Sequence, residues 1–272
     1  MKIDEIDGTT RIFAIIGDPI RGVRSPSVFN GMFSRNDINA VMVAVRVPAA
    51  GLAHAWAGIR SMESIEGVIV TMPHKVEALG LVDRVGDNAT LVGAINAARR
   101  DADGKWTGDM FDGVGCITGL RNEGHTVAGR EFSVTGTGGA GAAIVVALAR
   151  AGAKRILVRD LDASKRDRLI ERVRAAFPAV DIAAASASDG PVDVAINATP
   201  LGMHAGDPMP FDPAALPSDT LVVDVIPSPE MTPLLEHAAA TGHRVHPGRH
   251  MYLGQANDIA AFFRVLPAAA AT

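Results

Sequence analysis

A single cysteine, Cys116, stands among 272 residues, so the chain can form no internal disulfide. The histidines do not compensate. His74, His246 and His250 follow none of the ligand spacings that hold zinc, and no metal is expected. Aromatic residues make up only 4% of the chain, which leaves few platforms for stacked bases. Positive charge is not in excess either: 26 Lys and Arg face 30 Asp and Glu, a formal charge of −4, where a nucleic-acid surface needs a basic field. No apolar run approaches the ~20 residues that span a bilayer. The opening Met1-Lys2-Ile3-Asp4-Glu5 lacks the basic and apolar regions of a secretion signal. These absences lead to the expectation of a cytoplasmic protein with neither nucleic acid nor membrane as partner.

Apolar residues, at 48%, are plentiful enough for a large core, and they fall in a repeating order. Short β-branched runs at Arg11 to Ile16, Ala40 to Val47, Gly67 to Thr71 and Ala94 to Ala98 read as strands. Helical patterns at Pro26 to Asn36, Ala49 to Ser61 and Pro73 to Leu81 lie between them. Asp101 to Thr107 carries turn chemistry, and Gly108 to Gly115 is read as a domain junction. Strands resume at Phe132 to Thr135, Arg155 to Val158, Asp193 to Asn197, Leu221 to Val225 and His243 to His246. A last helical pattern, Met251 to Leu266, follows the turn Pro247-Gly248-Arg249-His250, and an Ala-rich tail, Pro267 to Thr272, is expected to fray. The expectation is a two-domain α/β fold. An α/β domain over 1–112, completed by helices in 248–272, would accompany a doubly wound Rossmann-type domain over 113–247, with a ligand cleft between them.

Gly136-Thr137-Gly138-Gly139-Ala140-Gly141 lies between a strand and the helical pattern Ala142 to Ala149. This is the arrangement of a dinucleotide site, in which Gly136 allows the tight turn, Gly138 the close approach of backbone to pyrophosphate, and Gly141 the contact of helix with strand. The next strand ends in Arg159-Asp160, so a carboxylate falls where a ribose diol would be held. That favours NAD; Arg159, Lys165 and Arg166 keep NADP open, because they could surround a 2′-phosphate. On the residues alone, Lys75 at its strand end is a solvated surface charge or a site residue, and Asp112 is a helix cap or a site residue.

Several segments, in order, carry a resemblance: Gly17-Asp18-Pro19-Ile20 with Ser25-Pro26, Val70-Thr71-Met72-Pro73-His74-Lys75, Gly93-Ala94-Ile95-Asn96, Asp112-Gly113-Val114-Gly115, the glycine loop, Ile196 to Met203, and Gly248 to Gln255-Ala256. The chain resembles the shikimate dehydrogenase family, including its quinate/shikimate members. The resemblance implies reversible hydride transfer between a nicotinamide and a ring secondary alcohol, shikimate to 3-dehydroshikimate first among the candidates. It implies Lys75 and Asp112 as the catalytic pair, and Ser25, Thr71, Asn96 and Gln255 as substrate contacts. For the cofactor it implies Gly136, Gly138, Gly139, Ala140, Gly141, Asp160, Asn197, Thr199, Gly202 and Met203. The expected partner is a small cyclic polyol or hydroxy acid, bound by a monomer or homodimer.

Five residues, at four places, depart from the family pattern. Val23 replaces a serine of the carboxylate clamp that includes Ser25, Ile69 replaces an asparagine, Met110-Phe111 replaces Asn-Thr, and Pro227 replaces a tyrosine. Buried donors that a substrate needs are costly to lose, so recognition of the carboxylate end is expected to be altered. Quinate, an aminoshikimate or a carboxylate-free diol is the alternative substrate, and a dinucleotide-binding sensor is the alternative class. Arg21 and Arg24 are either surface charges or replacement carboxylate contacts, and His74 or His250 a minor candidate for substrate contact.

Overall fold

The structure, a computed structural model, describes residues 6–186 and 189–267; the expected fraying of the tail falls, from residue 268 on, outside them. The chain divides into two compact units, Met1–Phe111 with Gln255–Thr272, and Asp112–Gly254.

In the first unit, β1 (Arg11–Gly17), β2 (Ala40–Arg46), β3 (Ile65–Val70), β4 (Arg84–Val85), β5 (Ala97–Arg100) and β6 (Trp106–Asp109) form one sheet in the order β2-β1-β3-β5-β6-β4. β1 pairs parallel with both β2 and β3, whereas β5 runs antiparallel to β3 and to β6. Phe13 and Ile15 alternate along β1 and join Phe29 and Phe33 of α1 (Ser25–Arg35), Ile69 of β3, and Ile259 and Ala260 of α9 (Ala256–Phe262) in one core cluster. Ala14 and Ile16, on the other face of β1, are buried as well, so the central strand is covered on both sides. Trp56 of α2 (Leu52–Ser61) meets Trp106 with ring centroids 5.4 Å apart.

Three local expectations change. Pro73 to Leu81 is not a helix but a turn followed by a 3-10 segment, Glu77–Leu81. The His74 amide closes the turn onto the Thr71 carbonyl, and Gly80 in this short stretch disfavours an α-helix. The turn chemistry of Asp101 to Thr107 makes a hairpin, with Gly104 at φ 77°, so a strand that was not expected, β6, runs into the Gly108 to Gly115 junction, within which the units divide between Phe111 and Asp112. The last helical pattern is two helices, α8 (Arg249–Gly254) and α9, parted at Gly254–Gln255. A further short helix of the first unit, α3 (Asp87–Val92), ends on Gly93 in the left-handed region.

In the second unit, six parallel strands take the order β12-β11-β10-β7-β8-β9: β7 (Glu131–Thr135), β8 (Arg155–Arg159), β9 (Asp181–Ala184), β10 (Val194–Asn197), β11 (Leu221–Asp224) and β12 (Val245–His246). The order doubles back at β7 and β10, which is the doubly wound Rossmann arrangement. Apolar runs such as Ile156-Leu157-Val158 and Leu221-Val222-Val223 lie in these strands because helices such as α5 (Gly139–Arg150), α6 (Ala163–Ala176) and α7 (Pro233–Ala240) cover the sheet. α4 (Asp112–Asn122) packs closely on two helices through its glycines. A Cβ on Gly113 would stand 2.2 Å from the Ala143 carbonyl oxygen of α5, and one on Gly119 would stand 2.7 Å from that of His250 in α8.

Candidate active site and dinucleotide site

The glycine loop is built as its residues require. Gly136 has φ 99°, a region that side chains other than glycine rarely adopt. A Cβ on Gly141 would lie 2.0 Å from the Gly136 carbonyl oxygen, so helix and turn touch backbone to backbone. Gly138 is different: a Cβ there would meet nothing within 4 Å. It caps α5 at φ −61° with no side-chain hydrogen bond, and the first turn of the helix holds no acidic residue. The amides and dipole of α5 are thus left to an anion, the arrangement that takes a pyrophosphate.

Asp160, just past β8, is fastened to this loop. Its Oδ2 accepts hydrogen bonds from the Thr137 amide and hydroxyl, both at 2.6 Å, and its Oδ1 accepts the Asp162 amide at 2.9 Å. Burial works to raise this carboxyl, but the bonds from Thr137 and the Asp162 amide outweigh it and hold it below the usual carboxylate range. A carboxylate held ionised therefore lies beside the glycine turn. Of the three cations weighed for a 2′-phosphate, Arg166 pairs with Asp167 at 2.8 Å, while Arg159 is exposed and Lys165 half-buried. The residues present fit a dinucleotide.

The segment after β10 backs the loop. A Cβ on Gly136 would stand 2.9 Å from the Ala198 carbonyl group and from the Thr199 methyl. Asn197 shapes this segment: its Oδ1 accepts the Thr199 amide at 3.0 Å and hydroxyl at 2.7 Å, and its Nδ2 donates to the Leu201 carbonyl at 3.1 Å. Gly202, at φ 106°, donates its amide to Asp207, and the half-buried Met203 follows. Two residues that the sequence reading left out complete this network. Asp224 and Thr232, both fully buried, bond to each other and, through Asp224, to Asn197. An acid closing an otherwise apolar strand, Leu221-Val222-Val223-Asp224, was the available signal.

In the first unit, Lys75 lies in the turn after β3, where its carbonyl accepts the Ile95 amide at 2.9 Å. The neighbouring His74 is buried and ties this turn to the end of β2, its Nε2 donating to the Val47 carbonyl at 2.7 Å. That anchoring gives His74 a structural use apart from substrate contact. Thr71 begins the same turn, and its amide bonds to the Ile16 carbonyl of β1. Ser25 opens α1, partly buried, ahead of Pro26. Asn96 and Gln255, 159 positions apart, meet: Asn96 Nδ2 donates to Gln255 Oε1 at 2.7 Å, and Asn96 Oδ1 accepts the Phe111 amide at 2.8 Å. Asp112 belongs to the second unit, buried at the first residue of α4. Burial, aided by Asp112, pushes the thiol of Cys116 up to about 12, so it is a neutral core group.

Three of the departures from the family pattern share one environment. Ile69 and Phe111 belong to the core cluster of the first unit, and Val23 packs against it with Ile20 and Phe262. Phe111 meets Phe262 with centroids 5.1 Å apart. Pro227 belongs to the second unit, after β11. Arg21 and Arg24 are both exposed. Among the described residues no group of three His, Cys, Asp or Glu is arranged to hold a metal ion, and no helix is long and apolar enough to cross a membrane.

Comparison with known proteins agrees with this geometry. A family model described as the shikimate dehydrogenase substrate binding domain matches residues 15–98. The shikimate dehydrogenase (NADP(+)) of Rubrobacter xylanophilus is 35% identical over 262 residues, covering 94% of this chain and 91% of its own. Among solved structures, shikimate 5-dehydrogenase from Listeria monocytogenes, in complex with shikimate and NAD, superposes with a TM-score of 0.84 at 27% identity, over 96% of this chain and 94% of that one. The ligand-free 5-ketofructose reductase of Gluconobacter sp. strain CHM43 gives 0.81 at 29% identity, over 96% and 95%. Glycine loop, doubly wound sheet and near full-length similarity to the Rubrobacter protein lead to one conclusion: the chain belongs to the shikimate dehydrogenase family.

Proposed function

We propose that the protein is an NAD(P)-dependent oxidoreductase that interconverts a ring secondary alcohol and its ketone, with shikimate and 3-dehydroshikimate as the first pair to test. The observation that carries the reading is the carboxylate of Asp160 held by Thr137 against the glycine turn. The bound nicotinamide supplies a hydride acceptor at its C4. The chain's residues do the remainder. Lys75 takes the hydroxyl proton in the oxidising direction and returns it to the developing alkoxide in the reverse, and Asp112 accepts a hydrogen bond from a substrate hydroxyl. Ser25, Thr71, Asn96 and Gln255 position the ring. Gly138, Gly139, Ala140 and the α5 amides take the pyrophosphate, and Asn197, Thr199, Gly202 and Met203 the nicotinamide half.

NAD is the preferred dinucleotide in this reading, although the curated relatives are named for NADP(+). What supports it is the fixed charge of Asp160, which accepts from a 2′-hydroxyl and repels a 2′-phosphate. In the same reading Met1–Phe111 with Gln255–Thr272 serves the substrate and Asp112–Gly254 the dinucleotide. Cytoplasmic residence and a monomeric or homodimeric state complete it.

A second substrate reading has its own support. Val23, Ile69 and Phe111 stand in or against one apolar cluster where the resemblance implies polar groups for a carboxylate. A neutral cyclic polyol or its ketone suits such a surface better than an acid does, and the Gluconobacter relative is named for a carboxylate-free ketose. Initial rates with NAD and NADP, crossed against shikimate, quinate and neutral cyclic diols, decide between the readings. Lys75-dependent turnover of shikimate with the highest kcat/KM upholds the first. Turnover confined to neutral substrates establishes the second, and dinucleotide binding without turnover of any of them points to a sensor.

A further inference from the structure

The side chain of Asn197 has a demanding task. Its carbonyl must face Thr199 and its amide must face Leu201, yet the two ends of a carboxamide are nearly the same shape. The Thr199 amide, which only donates, and the Leu201 carbonyl, which only accepts, set that orientation, and Asp224 reinforces it. Its Oδ1 receives Asn197 Nδ2 at 3.2 Å and the Ile226 amide at 3.0 Å, and its Oδ2 receives the Thr232 hydroxyl at 2.7 Å. A carboxylate accepts hydrogen bonds and donates none, so only one orientation of Asn197 is compatible with it. Thr232 is itself anchored: it is the N-cap of α7, where its hydroxyl oxygen accepts the Leu235 amide. The chain of bonds thus runs from α7 through Asp224 and Asn197 to the Thr199–Leu201 turn, where the Leu201 amide donates to the Thr199 hydroxyl at 3.2 Å. That turn presses on Gly136.

We infer that Asp224 is a positioning residue of the dinucleotide site, acting through Asn197 to hold the 197–203 segment against the glycine turn. The inference rests on the reading of this unit as the dinucleotide domain. Asp224 is fully buried, and both of its oxygens are engaged: Oδ1 by Asn197 and the Ile226 amide, Oδ2 by Thr232. Its side chain touches no group expected to react.

The test uses the full chain with Asp224→Ala, Asp224→Asn and Thr232→Val. NADH and NADPH dissociation constants are measured by fluorescence titration, and KM is measured for both dinucleotide and alcohol, beside thermal melts. Asp224→Asn still offers an oxygen to Asn197 and Ile226 and an amide to Thr232, so dinucleotide affinity should stay within about threefold. Asp224→Ala should raise dinucleotide Kd and KM at least about tenfold, equivalent to ~1.4 kcal/mol, with the alcohol KM within about twofold. Thr232→Val, which removes only the Oδ2 anchor, should move the dinucleotide constants the same way by about threefold or more, and decides the matter if the alanine variant does not fold. A lowered melting temperature with unchanged dinucleotide constants would make Asp224 merely structural and overturn the inference, as would equal losses in the alanine and asparagine variants. A wild-type protein that binds neither dinucleotide would instead sink the reading of the domain, and the inference with it.

Discussion

Asn96 and Gln255, the two amides assigned to the substrate, are hydrogen-bonded to each other at 2.7 Å while Asn96 also holds the Phe111 amide at 2.8 Å. One side chain, just ahead of β5, therefore joins the first residue of the returning C-terminal segment to the residue just before Asp112. Replacing Asn96 with alanine should affect both stability and activity. Two buried groups would lose their partner, at about 1–3 kcal/mol each. A denaturant melt is expected to show that loss, and kinetics a raised KM for the alcohol with the dinucleotide KM unchanged. A variant as stable as the wild type would contradict the structural half of this expectation.

Lys75→Ala separates proton transfer from binding. Loss of a general base costs about 10²–10⁴-fold in rate, whereas the residues proposed to hold the dinucleotide belong to the other unit. Turnover should fall by that factor with NADH affinity intact. Comparable turnover in the variant would remove Lys75 from the mechanism.

Asp160→Asn tests the cofactor preference. The neutral amide no longer repels a 2′-phosphate, so the kcat/KM ratio of NAD to NADP should fall about tenfold or more, ~1.4 kcal/mol. An unchanged ratio would mean that discrimination lies elsewhere, with Arg159 and Lys165 the next residues to vary.

Gly138 and Gly141 should part company when each is changed to alanine. At Gly141 the new Cβ meets backbone at 2.0 Å, so overpacking should cost about 1–3 kcal/mol of stability or more. At Gly138 the backbone accepts an L residue and the space is open, so melting should be unaffected while dinucleotide affinity drops. Equal melting temperatures for the two variants would contradict the close contact at Gly141.

Acid should weaken the second unit through His246. This buried ring lies between His125 and His250, with centroids 5.8 and 4.5 Å away, and Glu123 pairs with His250 at 3.2 Å. Burial, then the two histidines and Arg249, push His246 down to about 3, and burial first lowers His125 and His250 as well. A histidine with a depressed folded value is neutral in the fold and protonates more readily once unfolded. Its stabilisation is therefore complete above about pH 6.5 and is lost as the pH falls from there toward 3, by about 1.4 kcal/mol per unit for His246 alone. Denaturant midpoints at pH 8, 6 and 4.5 should fall in that order, and His246→Gln should flatten the slope.

The alternation of β-branched runs with helical patterns, the glycine loop and the acid ending β8 were legible in the sequence because each is a local signal: a period of two, a backbone demand, a fixed spacing. The Pro73 to Leu81 segment was not, since its proline and apolar spacing suit a helix and only the closure of the His74 amide onto Thr71 makes it a turn. The hairpin of β5 and β6 was hidden for a similar reason: β6 is four residues long, and its strand character comes from its partners. The amide pair of Asn96 and Gln255, the buried Asp224 behind Asn197 and the histidines around His246 were decided by the tertiary structure alone. Each joins residues from distant parts of the chain, and hydrogen-bond partnership and desolvation exist only once folding has brought those parts together.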